Sequence, residues 1–175
     1  MDADYQLNQL QQNDRDALGR FFTGLSSATR SRFGPHPLNT EHAAKLCYAL
    51  DEDPAGRFVL YSDDAICGYF IVDPVLPGHE VERYMNYGIA LESGKDCMFA
   101  PCMADRFQGR GLGNAVMPFL LKHCRDKRYR SMVLLGGTQE SNERALKFYQ
   151  RWGFRPLGTF MTSVSNIDMQ LMLDG

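Results

Sequence analysis

The chain has 175 residues, 44% of them hydrophobic and 23% charged, with a formal net charge of −2. That length suits one domain around a single core, and a nearly balanced charge gives no general attraction for nucleic acid or an anionic membrane surface. No apolar run reaches membrane-spanning length, and the acidic start Met1-Asp2-Ala3-Asp4 is unlike a secretory signal.

In chain order, Tyr5–Leu10 alternates weakly and reads as a first strand. Asn13 is placed to cap a helix through Ala17, Leu18, Phe21 and Phe22, whose spacing is helical. Ser26–Phe33 reads as a short second helix, ended by Gly34-Pro35-His36-Pro37. A third helix runs from Thr40 to Leu50 and closes before Asp53-Pro54. Arg57–Tyr61 and Ala65–Val72 form a strand pair turned at Asp63-Asp64. Pro74, Pro77 and Gly78 then open a loop, and Val81–Leu91 reads equally as a short helix or a strand. Cys97–Met103 is a central strand, Leu112–Cys124 a helix, Ser131–Leu135 a strand and Ser141–Trp152 a helix. Phe154–Thr162 and Ile167–Leu173 complete an antiparallel pair. Neither a repeat nor a low-complexity linker interrupts this order, which predicts one α+β domain over 1–175.

Two prolines fall inside these elements. Pro101 lacks the donor that a regular central ladder needs, so it marks a bulge or an opening in its strand. Pro118 should kink the helix that carries it. The five cysteines, Cys47, Cys67, Cys97, Cys102 and Cys124, form no close pair and read as reduced thiols filling the core of a cytoplasmic protein. The histidines His36, His42, His79 and His123 are scattered without metal-ligand spacing, so no metal is expected.

The most informative stretch is Gln108-Gly109-Arg110-Gly111-Leu112-Gly113, between an apolar strand and an amphipathic helix. Alternating glycines let the backbone turn tightly and leave no Cβ in the way of a ligand. Several N–H groups can then converge on an anion where the helix begins. The same stretch also reads as a sharp strand-to-helix turn that binds nothing. A Walker loop would end in Gly-Lys-Ser/Thr, but Asn114-Ala115 follows Gly113, and a dinucleotide fingerprint would need a glycine where Asn114 stands.

Taken as Gln-x-x-Gly-x-Gly, with Gln108, Gly111 and Gly113, the motif resembles the GNAT superfamily of acetyl-CoA-dependent N-acetyltransferases, in which it cradles the coenzyme A pyrophosphate. The block Asn142-Glu143-Arg144-Ala145-Leu146-Lys147-Phe148-Tyr149-Gln150-Arg151-Trp152-Gly153-Phe154 is similar to that family's later helix. The likeness covers roughly residues 57–173 well and the N-terminal third loosely. It implies a mixed, mostly antiparallel sheet flanked by helices, with a splayed central strand pair that Pro101 would mark.

The resemblance also implies a chemistry. Acetyl-CoA would be held by Gln108, Gly109, Arg110, Gly111, Leu112, Gly113 and Asn114, with Asn142 on the pantetheine amides and Met103 beside the thioester. The Met103 N–H would stabilise the oxyanion, and Pro101 cannot. Tyr149 would protonate the departing thiolate; without the resemblance it reads as a core aromatic beside Phe148 and Trp152. Asp105, Glu80, Glu82, Glu92, Glu140 and His36 are all open as the general base, as is a chain of water. Arg30, Arg32, Phe33 and His36 on one side, and Tyr84, Met85 and Tyr87 on the other, would border the acceptor or serve the fold. Lys122, Arg125, Lys127, Arg128 and Arg130 read as a solvated helix end. The expected reaction is acetyl transfer to a primary amine, a small molecule in preference to a protein, by an enzyme whose late strands suit a homodimer. The rival reading is a non-catalytic acyl-CoA sensor or interaction domain on the same fold.

Overall fold

The computed structural model describes residues 5–173, and these fall into two compact units. One holds the described residues up to Ile71 together with Ala100–Val116; the other holds Val72–Phe99 and the described residues from Met117 onward.

In the first unit, strand β1 (Tyr5–Gln9) pairs antiparallel with β2 (Gly56–Ser62), Tyr5 opposite Ser62 and Gln9 opposite Phe58. Asp63 takes the left-handed φ of +52° in the turn to β3 (Ala65–Asp73), a conformation aspartate tolerates better than most residues. Helix α1 spans Arg15–Thr23, but its start differs from expectation. A 3-10 turn at Gln12–Asp14 precedes it, and Asn13 lies inside that turn. Asp14 is the residue before α1, but its carboxylate makes no cap bond to that helix; it accepts from the Gln11 N–H (2.8 Å) and the Tyr61 hydroxyl (2.6 Å), closing the 3-10 turn.

Helix α2 (Ser27–Arg30) is one turn long, shorter than the apolar pattern through Phe33 predicts. Its last residue, Arg30, folds back and donates to the carbonyls of Phe22 and Leu38. Those bonds make Arg30 a clamp of this segment and answer the question left open between acceptor and fold. Asn39 caps α3 (Thr40–Tyr48) by accepting from the His42 N–H at 2.7 Å. The two longer helices approach closely because Gly19 has no side chain; a Cβ there would lie 3.2 Å from Thr40. The last residues of β4 (Asp96–Met103) run beside β3, with the Ala104 N–H bonded to the Cys67 carbonyl at 2.9 Å.

In the second unit, the ambiguous stretch resolves as helix α4 (Gly78–Met85), started by Pro77. Tyr84 and Val81 pack with Leu76, Leu91, Met98 and Val133, and a helix presents that 3-residue spacing on one face where a strand would not. Helix α5 (Leu112–Asp126) contains Pro118. Strand β5 (Ser131–Leu134) lies parallel to β4, from Asp96 opposite Ser131 to Phe99 opposite Leu134. A two-residue strand β6 (Thr138–Gln139), not anticipated from sequence, pairs with β8 (Ser165–Met172). Helix α6 (Glu143–Arg151) and strand β7 (Arg155–Met161) complete the chain, β7 pairing antiparallel with β8 through an irregularity between Pro156 and Gly158. The strand order here is β4-β5-β8-β6 with β7 on β8. The architecture is thus a mostly antiparallel sheet flanked by helices.

All five cysteines are free and buried. Arg130 is exposed, as the solvated reading expects, and is also ion-paired to Asp96, which is fully buried and accepts from the Ser131 hydroxyl.

The β4–β5 ladder ends early. Its last bond is the Leu135 N–H to the Phe99 carbonyl, at 3.1 Å, while β4 continues to Met103. Residues pointing to a given edge alternate along a strand, so the next donor on that edge falls at position 101, where proline has none. Pro101 therefore offers no donor to carry that edge beyond Phe99.

Candidate active site

The first unit carries the glycine-rich loop. A 3-10 turn at Asp105–Phe107 leads out of β4, and α5 begins at Leu112. Gly109 and Gly111 have φ of +75° and +79°, with open space where a Cβ would stand, so only glycine adopts this path without strain. Gly113 lies in the first turn of α5.

Among the described residues, no backbone carbonyl accepts from the N–H of Gly109, Arg110 or Gly111. Leu112 and Gly113 add the first donors of α5, which a helix cannot satisfy internally. From Asn114 onward the ladder closes, Asn114 donating to the Gly111 carbonyl at 2.9 Å. Consecutive free donors at a helix N-terminus are an arrangement able to accept an anion. The Arg106 and Arg110 guanidinium groups stack on Phe107, 4.8 and 5.4 Å from the centre of its ring. The open Cβ positions and the donors fit a diphosphate.

Gln108 supports the loop from beneath. Its Nε2 donates to the Met103 carbonyl and to Thr29 Oγ1, each at 3.0 Å, and its backbone N–H donates to the Asp105 carbonyl at 3.2 Å. Met103 itself sits on the β4 edge away from β3, because its neighbour Ala104 donates to Cys67 on the β3 side.

Asp105 is fully engaged. Its carboxylate accepts from the Ser26 N–H at 3.0 Å, from the Ser26 hydroxyl at 2.5 Å and from Thr29 Oγ1 at 2.8 Å. These bonds, the Ser26 hydroxyl foremost, hold its pKa down to about 2. A carboxylate so occupied serves as an anchor for α2 and is a poor proton acceptor. His36 is likewise held in one tautomer. Its Nδ1 lies 2.9 Å from the Pro37 carbonyl and must carry the proton, leaving Nε2 to accept from the Tyr69 hydroxyl at 3.2 Å. Burial pushes its pKa down to about 4.

The second unit carries the later block. Asn142 precedes α6 as its cap, accepting from the Ala145 N–H at 3.4 Å, so its side-chain oxygen serves the helix. Tyr149 is 6% exposed and packs edge-on against Phe99, Phe148 and Phe154 at 5.3 to 6.4 Å. Burial raises its pKa, opposed by a hydrogen bond with the Thr138 hydroxyl, so the phenol keeps its proton at neutral pH. Glu80, also buried, is ion-paired with Arg83 at 2.6 Å, and Arg83 bonds Asp168 as well. Tyr84 donates to the Met169 carbonyl and Tyr87 to Asp168, whereas Met85 is exposed. Among the described residues no group of three His, Cys, Asp or Glu side chains could hold a metal ion, and no helix is long and apolar enough to cross a membrane.

Sequence reasoning missed Ser26 and Thr29. The Ser26-x-x-Thr29 spacing announces a helix start, but their partners lie almost eighty residues away.

The geometry is that of an α+β fold with a positive-φ glycine loop leading from β4 into the N-terminus of α5. The family model of the acetyltransferase (GNAT) family matches residues 22–154. The chain belongs to that family and is an N-acetyltransferase of the GNAT type. Solved structures agree on the fold. The ribosomal-protein-S5-alanine acetyltransferase of Vibrio fischeri superposes with a TM-score of 0.75 at 12% identity, covering 99% of this chain and 96% of that one. A Salmonella typhimurium protein assigned as an acetyltransferase, solved with its cofactor acetyl-CoA, gives 0.72 at 15% identity, covering 98% and 95%. A GCN5-related N-acetyltransferase of Kribbella flavida gives 0.72 at 19%, covering 97% and 98%. A comparison with curated proteins finds no significant sequence match.

Proposed function

We propose that this chain transfers an acetyl group from acetyl-CoA to the primary amine of a small molecule, by direct attack and in the cytoplasm. The observation that carries this reading is the run of N–H groups from Gly109 to Gly113 that no backbone carbonyl accepts from. These donors bind a diphosphate, and Gln108 fixes the path of the loop that presents them.

Acetyl-CoA, when bound, supplies an activated acyl carbon and a thiolate leaving group. The Met103 N–H, on the β4 edge that carries no ladder bond past Phe99, donates to the acyl oxygen as negative charge builds there. The amine nitrogen forms its bond to the acyl carbon as the carbon–sulfur bond breaks. Tyr149, protonated at neutral pH, gives its proton to the sulfur and regains one from solvent. Asp105, Glu80 and His36 are each occupied by donors of the fold, which leaves Glu82, Glu92, Glu140 or water to take the proton of the amine.

The deciding experiment pairs two variants. Gly111→Glu and Gly88→Glu carry similar backbone strain, since Gly88 has φ of +75° and equally open surroundings. Only Gly111→Glu should lose binding of coenzyme A in titration calorimetry. Equal binding by both variants would remove the loop from the site. An absence of thiol release with acetyl-CoA and every amine in a broad panel would overturn the transferase reading.

A further inference from the structure

Thr29 has no place in the reaction described above, yet it is 7% exposed and joins two parts of the chain far apart in sequence. Its hydroxyl donates to Asp105 Oδ1 at 2.8 Å and accepts from Gln108 Nε2 at 3.0 Å. One hydrogen and one lone pair are thus both used, which fixes the hydroxyl rotor. Asp105 also bonds the N–H and hydroxyl of Ser26, the cap of α2. Gln108 in turn reaches the Met103 carbonyl. The resulting chain runs from α2 through Thr29 and Gln108 to the end of β4 and the start of the glycine loop.

Both hydrogens of the Gln108 amide nitrogen are spent inside this network. Gln108 therefore acts on the coenzyme through the backbone it holds and not through those donors. Its orientation depends on a hydroxyl at position 29, because without it one amide hydrogen is left unmatched in a half-buried setting.

We propose that Thr29 is a positioning residue for the coenzyme loop: through Gln108 and Asp105 it sets the direction of the loop donors, so that affinity for the coenzyme is controlled from α2. This rests on the diphosphate reading of the loop. Thr29→Val keeps the shape of the side chain and removes both hydrogen bonds. It should raise the Kd for coenzyme A and the KM for acetyl-CoA about tenfold and leave kcat within about twofold, since neither Met103 nor Tyr149 bonds to Thr29. Thr29→Ser should restore wild-type values, as the hydroxyl alone carries the effect. A double variant with Gln108→Leu should bind no worse than Gln108→Leu alone, because the two residues act in one chain.

Melting temperature is measured in parallel. Equal stability losses for Thr29→Val and Thr29→Ser with unchanged Kd would make Thr29 a purely structural residue and overturn the proposal. A wild-type Kd in a stable Thr29→Val protein would do the same. Failure of the wild type to bind coenzyme A would instead sink the loop assignment itself, so the two failures are distinct.

Discussion

Asp105 spends its carboxylate on three donors, and that fixes what its removal does. Asp105→Asn retains an acceptor oxygen but loses the charge-assisted bonds to Ser26 and Thr29. A lower melting temperature and a higher KM for acetyl-CoA are expected, with the pH-rate profile unmoved; a profile shifted by more than one pH unit would make it the base after all. His36 gives a second expectation. Its pKa is about 4 in the fold and near 6.5 when unfolded. Between those values the unfolded chain binds a proton that the folded one refuses, so stability falls as pH drops from about 6.5 to about 4. Above that window the ring is neutral in both states and contributes no pH dependence. Burial lowers His42 and His123 as well, so His36→Gln should flatten the dependence of the urea midpoint on pH without abolishing it. An unchanged slope would reassign the effect. At this scale the turn at Gly109 and Gly111 was visible in sequence because its motif is contiguous. The occupancy of Asp105 and His36 was not, since their partners Ser26 and Tyr69 come from remote positions.

Elements were legible wherever their own periodicity decided them. The apolar spacing of α1, the apolar run of β4 and the amphipathic run of α5 all emerge near their expected bounds. Residues 78–85 defeated that method: Val81 and Tyr84 suit a helix face, but their burial depends on Met98 and Val133 from other strands. Strand β6 had no local signal, as two residues cannot show a period, and its existence is set by the glycine pair before it. Gly136 and Gly137 have φ of +69° and +65°. A Cβ at Gly136 meets open space, but one at Gly137 would lie 2.8 Å from the Ile167 carbonyl oxygen on β8. Gly136→Ala should therefore cost only the left-handed penalty of about 1–2 kcal/mol. Gly137→Ala adds a backbone collision and should cost at least about 1 kcal/mol more in urea unfolding. Equal losses would mean that β6 yields freely. Tyr149 is tied to this same strand through the Thr138 hydroxyl. Tyr149→Phe should reduce kcat by at least about tenfold with little change in KM, the mark of an interaction made in the transition state. Unchanged turnover would leave the residue a core aromatic.

For the molecule as a whole, family membership was readable from two short blocks, although the solved relatives named above share only 12 to 19% identity. Spacing in a loop and a helix face survives substitutions that erase general likeness, because backbone conformation and burial constrain those few positions. The N-terminal third resembled the family only loosely by eye, yet the family model begins at residue 22. Ligand binding to the folded state alone raises stability by mass action. Coenzyme A at about a hundred times its Kd should then lift the melting temperature by about 5–10 °C, and Gly111→Glu should abolish that lift. The buried sulfurs have a practical corollary. Burial holds Cys47 and Cys67 up to about 11 and Cys102 up to about 12, and the hydrogen bond with Cys124, aided by burial, raises Cys97. An aromatic disulfide dye should consequently stay colourless over the native enzyme at pH 8 and develop five equivalents once denaturant is added. Colour that grows during turnover then belongs to the liberated cosubstrate, and the protein supplies its own silent blank.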